Sequence, residues 1–223
     1  NLLQSGREEL AVQVRARPGE GASLRRWLAA QGAMVQGAVG DTLFVRVNKG
    51  ALEKLAGQEL LAAADIQGIV SAWPDDSLPL SGLAARLQGG ATGSKGQGGD
   101  GIPLTGVTAA HARGITGKGV RVGILDFGFG GYDRLQQGGV LPAPVAAQVF
   151  FRSNPGVAMG GTVHGTACAE IIHQMAPDAT LLIAQVGNGA GSAAEGDIVE
   201  AARWLVDQGV DIINFSGGGQ VGP

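Results

Sequence analysis

The chain has 223 residues, 44% of them apolar and 16% charged, enough apolar side chain to bury a core and too much for a disordered tail. A net charge of −3 without a long basic run excludes an electrostatic footprint for nucleic acid. A single cysteine, Cys168, excludes an intramolecular disulfide framework and a Cys-rich zinc site, and no apolar run reaches the roughly 18 residues of a membrane span. Glycine is abundant, 40 residues without a Gly-X-Y period, which excludes collagen and predicts many tight turns or close backbone approaches. The first residue is Asn1 rather than Met, compatible with removal of a leader.

In chain order, residues 8–78 alternate short strand and helix patterns. Leu10–Arg15 and Leu43–Val47 have the period of two expected of strands, and Leu24, Trp27, Leu28 and Gln31 lie at helical spacing behind Pro18 and Gly19. Leu52, Leu55 and Ala56, followed by Leu60–Ala64, read as a second helical stretch, and Ile69–Trp73 as a last strand. The order is β-α-β-β-α-β, a small α+β unit of the split βαβ kind. It has no His and no Cys, and nothing in it looks catalytic. Gly89–Gly101 then packs seven glycines into thirteen residues with no large apolar side chain, the composition of a linker or exposed loop.

Beyond the linker the pattern changes. Val120–Leu125, Thr180–Val186 and Val210–Asn214 are near-continuous apolar runs, which suit parallel strands covered on both faces. Ile198, Ala201, Ala202, Leu205 and Val206 form one helical stripe, and His164–Met175 reads as a helix with Ala167, Ile171 and Met175 on one side. This half is therefore α/β, an open parallel sheet with right-handed crossovers, whose ligands bind outside the carboxyl ends of the strands. Asp126 sits at such an end and His164 at the start of the next helix, so both should point into one crevice. A carboxylate facing an imidazole through Nδ1–H leaves Nε2 free to take a proton from a nucleophile. Ile212–Gly219 is a buried strand that opens into glycine backbone, which suits pairing with an extended peptide.

These blocks, Val-Arg-Val-Gly-Ile-Leu-Asp126-Phe-Gly, His164-Gly-Thr-Ala-Cys-Ala and Val-Asp-Ile-Ile-Asn-Phe-Ser216-Gly-Gly-Gly, resemble the aspartate block, histidine block and substrate-binding strand of the subtilisin-like serine proteases. Gly114–Gly119 is similar to the lead-in those enzymes carry before the aspartate strand. The resemblance implies that Asp126 is the orienting acid and His164 the general base, with Ser216, Gly217 and Gly218 holding the substrate. It also implies that residues 1–78 are a ferredoxin-like propeptide that inhibits and chaperones, 79–104 a Gly-rich linker, and 105–223 the amino-terminal half of the parallel-sheet catalytic domain. Cys168, one helical turn past His164, should pack beneath it, as in members similar to proteinase K. No cofactor is needed for the chemistry. Calcium commonly accompanies the family but no ligands are assignable, and export to the envelope or medium is the family's habit.

The sequence departs from the family in three places. Phe127 stands where the family has Ser or Thr, which removes a hydroxyl that would support the aspartate. Cys168-Ala169-Glu170 brings a carboxylate near the base. No Gly-Thr-Ser block for the nucleophile follows, so the catalytic serine is expected on a carboxyl-terminal part acting as partner to this one, and an inhibited proenzyme is the expected resting state. Two other readings are an inactive peptide-binding or inhibitory module and a nucleotide-binding α/β protein, the latter suggested by Gly187–Ser192 after a strand. His111 and His173 read as structural or exposed. Zinc is disfavoured, without a His-Glu-x-x-His motif or a second cysteine.

Overall fold

The structure is a computed structural model and describes residues 9–55, 57–66, 69–72, 101–151 and 159–218. The chain divides into two compact units, one of residues 1–70, 194–200 and 219–223, the other of residues 71–193 and 201–218.

In the first unit the elements are β1 (Glu9–Ala16), α1 (Gly21–Ala30), β2 (Met34–Val39), β3 (Thr42–Asn48), α2 (Lys49–Leu55) and β4 (Leu61–Ile66). The strands form one sheet in the order β2-β3-β1-β4, with every pairing antiparallel. Alternation along β1 turns Val12, Val14 and Ala16 inward, where they meet Leu43, Val45 and Val47 of β3 and Leu24 and Leu28 of α1. The expected helical reading of Leu60–Ala64 is overturned. Leu61–Ile66 is a strand, because pairing with β1 satisfies that strand's otherwise open edge, a gain no local propensity records. This unit also contains Asp197, a carboxylate at 1% exposure that accepts from Arg46 Nη2 at 3.2 Å and Gln36 Nε2 at 2.7 Å.

The second unit contains α3 (Gly101–Leu104), α4 (Val107–Ala112), β6 (Arg121–Asp126), α5 (Tyr132–Gln137), β7 (Ala146–Phe150), α6 (His164–Met175), β8 (Thr180–Val186), β9 (Ser192–Ala194), α7 (Glu195–Asp207), β10 (Ile212–Phe215) and β11 (Gly217–Gly218). Ala194 of β9 and residues 195–200 of α7 belong to the first unit. The sheet has the order β10-β6-β8-β7, and all its pairings are parallel. Against one face lie Ala169 of α6 and Phe129, Tyr132 and Leu135, in a core with Val122, Ile124, Leu181 and Ile183. From α7, Leu205 packs over Gly123 of β6. The α7 stripe is narrower than its periodicity suggested: Ala201 and Leu205 are buried, but Val206 is 63% exposed. On α6 the side carrying Ile171 and Met175 faces outward, and the sheet takes the face with Thr166 and Ala169.

The strand β5 (Ile69–Ala72) belongs to neither large sheet. Its Ser71 and Ala72 pair antiparallel with Gly218 and Gly217 of β11. Trp73 and most of the Gly-rich segment lie outside the described residues, whose resumption at Gly101 is the start of α3.

Leu205 is fully buried, so Leu205→Ala should cost about 2–5 kcal/mol through lost transfer energy and a residual cavity. Urea unfolding of the variant beside the parent chain measures it; a loss under about 0.5 kcal/mol would contradict this packing.

Candidate active site

Because β6 and β8 run parallel and in register, Asp126 and Gln185 both stand at the carboxyl ends of their strands. From Asp126 the chain passes through Phe127-Gly128-Phe129-Gly130 and is tied to the residues entering α6. Phe129 N–H donates to Gly160 O at 2.8 Å, and Gly130 N–H to Thr162 O at 2.9 Å. In return Gly165 N–H donates to Gly128 O at 2.9 Å and Thr166 Oγ1 to Gly130 O at 3.0 Å. These bonds draw the first turn of α6 against the strand end. A Cβ at Gly165 would lie 2.7 Å from Gly128 O and 2.8 Å from Asp126 Cβ, so only glycine permits this approach.

The consequence is direct contact between two residues 38 positions apart. His164 Nδ1 lies 3.0 Å from Asp126 Oδ1 and 2.9 Å from Oδ2. With the carboxylate ionised and acceptor-only, Nδ1 must carry the hydrogen, which assigns the second ring nitrogen, Nε2, as the basic one in the neutral ring. Asp126 is fully buried and the His164 side chain is 23% exposed. Burial pushes the Asp126 carboxyl above its ordinary range, and the His164 bond and charge with the backbone N–H groups of Phe127 and Gly128 oppose that. Phe127 N–H donates to Asp126 Oδ1 at 2.8 Å. Phe127 thus gives the carboxylate a backbone donor and no side-chain hydroxyl.

Cys168 Sγ lies 4.0 Å from His164 Nδ1. Its thiol is pushed up to about 11, chiefly by burial, then by the Asp126 carboxylate, against a lowering hydrogen bond with Ser216. Ser216 therefore faces the same group of side chains, and its Oγ lies 3.4 Å from Asn214 Oδ1. Gly217 and Gly218 follow as β11, already paired with β5. Glu170 is 8% exposed and accepts from Gln174 Nε2 at 3.2 Å. His111 Nε2 meets Met175 O at 2.9 Å.

Sequence reasoning missed Gln185. It is fully buried, accepts from Gly160 N–H at 2.8 Å, and so braces the loop that ties Phe129. Its only signal was a polar residue inside an otherwise apolar strand.

Asp126, His164 and Cys168 are also the group of three possible metal ligands found among the described residues, with donor atoms within 4.8 Å of one another. A mixed oxygen, nitrogen and sulfur set does not fit calcium, which takes six to eight oxygen ligands. In the Gly187–Ser192 turn, Gly187 N–H donates to Phe150 O at 3.0 Å and Ala190 N–H to Asn188 Oδ1 at 2.9 Å, so two of the amides that a phosphate would draw on are already engaged.

Residues 117–223 match the Subtilase family profile. The matching segment is 29% identical over 117 residues to Subtilisin Savinase of Lederbergia lenta, covering 52% of this chain and 44% of that protein. It is 31% identical over 131 residues to Subtilisin DY of Bacillus licheniformis, covering 55% and 45%. The crystal structure of the epidermin leader peptide processing serine protease (EpiP) of Staphylococcus aureus has a similar fold, with a TM-score of 0.54 at 13% identity over 95% of this chain and 50% of that one. The subtilase match thus falls on the segment that carries Asp126, His164 and Ser216. The chain spans less than half the length of these subtilisins.

A thiol held near 11 is protonated at neutral pH. Iodoacetamide should alkylate Cys168 slowly at pH 7.5 in the folded chain, with the rate rising only as pH approaches 11; in the denatured chain the rise should centre near 8.5. Between those values the folded state holds a proton that the unfolded state has lost, so this group makes stability fall with rising pH there. Equal alkylation rates in the folded and denatured chain at pH 7.5 would contradict the burial.

Proposed function

We propose that the chain is the amino-terminal part of a subtilisin-type serine endopeptidase in its proenzyme form, acting on peptide or protein substrates. The observation that carries the reading is the paired contact of His164 Nδ1 with the buried Asp126 carboxylate. In this reading Asp126 holds the imidazole in one tautomer and stabilises the imidazolium. His164 Nε2 takes the hydroxyl proton of a serine contributed by the remainder of the protein, as that serine's oxygen bonds to the peptide carbonyl carbon. The same proton passes to the leaving amine as the C–N bond breaks, and water then hydrolyses the acyl-enzyme by the reverse roles. Ser216, Gly217 and Gly218 hold the peptide as an added strand, supported by the pairing of β11 with Ser71 and Ala72.

Residues 1–78 act as the inhibitory propeptide and 79–104 as its linker, so Ser71 and Ala72 lie where a substrate strand would sit. The enzyme works after export. No helix among the described residues is long and apolar enough to cross a membrane. The second reading, a peptide-binding module without hydrolysis, is favoured by that same occupied strand and is separated by chemistry alone.

In the full-length protein a fluorophosphonate should label one serine, and Asp126→Asn should lower kcat by about 10⁴, as the equivalent change does in the chymotrypsin-type triad. His164→Ala should lower it by about 10⁶. Hydrolysis of a chromogenic peptide by either variant within about tenfold of the parent would remove the proposed roles. Cleavage within residues 79–100 followed by removal of the front piece should raise labelling, and unchanged labelling would argue against inhibition by residues 1–78.

A further inference from the structure

The residue that departs most from the family at this site, Phe127, touches both halves of it. Its backbone N–H donates to the Asp126 carboxylate at 2.8 Å, and its ring, wholly buried, reaches the peptide-holding strand. A Cβ placed on Gly217 would lie 2.7 and 2.8 Å from Phe127 Cε2 and Cζ and 2.8 Å from Phe215 Cζ. The two rings brace each other, with centroids 5.7 Å apart and planes at 46°. Gly217 does not adopt a positive φ, unlike fifteen other glycines among the described residues. Its lack of a side chain therefore answers a demand for space and not for a special backbone conformation. Two of those three atoms belong to the Phe127 ring, which has no exposed surface and cannot swing away, so that side leaves no room even for a methyl group.

We propose that Phe127 is a positioning residue for substrate: its ring is the floor on which Gly217 rests, and Phe127 and Gly217 form a matched pair that fixes the peptide-holding strand relative to Asp126 and His164. The proposal rests on the reading of β11 as the substrate strand. Asp126 ends one parallel strand with Phe127 directly after it, and Phe215 ends its neighbour with only Ser216 before Gly217. A displacement of the ring would therefore move the strand. With no side chain on Gly217 or Gly218, β11 offers a bound peptide only its backbone. Recognition there should consequently be tolerant of substrate sequence, with selectivity coming from other walls of the cleft.

The test is a double-mutant cycle on the intact chain with Gly217→Ala, Phe127→Leu and the pair together, the leucine being chosen because it keeps the site apolar and the fold intact. Amide hydrogen exchange followed by NMR reads the strand itself. Gly217→Ala should lower protection of the β5–β11 amides by about tenfold, leave the amides of β6 and β8 unchanged, and be rescued to within about threefold by Phe127→Leu. A loss spread evenly over the sheet, or no rescue in the double variant, would overturn the proposal. In the full-length enzyme the same cycle should appear as a rise in KM of about tenfold for Gly217→Ala with kcat nearly unchanged, restored in the pair. Proper exchange behaviour in a protein that no fluorophosphonate labels would leave the packing intact and defeat the peptidase reading instead. A labelled enzyme whose KM ignores the cycle would defeat the positioning role.

Discussion

A carboxylate with no exposed surface is the constraint around which the second unit is arranged. Removing Asp126 from water costs several kcal/mol unless its oxygens are occupied. The structure occupies them with the His164 ring and the backbone N–H groups of Phe127 and Gly128. None of these donors can be moved far without leaving charge stranded. The parallel register that brings β6 to that point, the glycine at 165 and the bonds from Gly165 and Thr166 to the turn all serve one short contact. Their cost in conformational freedom is justified only by that contact.

From this contact the rest of the site follows by proximity. The start of α6 carries His164, and one turn later Cys168 lies beneath it with its thiol kept neutral. The neighbouring strand β10 ends beside β6 and delivers Ser216 to the same group, then Gly217 and Gly218 to the adjoining edge. A parallel sheet places residues from different crossovers at one rim, so the proposed proton relay and the proposed peptide-holding strand can share it although 90 residues separate Asp126 from Ser216. Gln185, from the next strand, braces the loop opposite. The site is thus preorganised by backbone, with few long side chains left to be ordered.

Much of this was legible beforehand because it depends on strand ends and helix starts, which sequence marks clearly. Asp126 directly follows an apolar run, and His164-Gly-Thr opens an amphipathic one. Less legible were features decided by tertiary pairing. Leu61–Ile66 has enough alanine to suit a helix, and only the free edge of β1 makes it a strand. α5 and β7 went unseen, being short, lying among glycines and prolines and, in β7, only partly covered. Ile171 and Met175 share a helical face as expected, but periodicity cannot say which face meets the sheet. Phe127 looked like the loss of a hydroxyl; its buried ring against Gly217 has no signature in a single sequence, because the two positions meet only in the fold.

The buried carboxylate dictates which ring nitrogen of His164 bears the hydrogen. Nitrogen-15 NMR of the imidazole in the neutral ring reads this directly. The hydrogen should sit on Nδ1, with Nε2 showing the shift of a bare basic nitrogen, and those two signatures should exchange in Asp126→Asn. A wild-type ring carrying its hydrogen on Nε2 would mean that Asp126 does not orient it, and the site could not work as a proton relay.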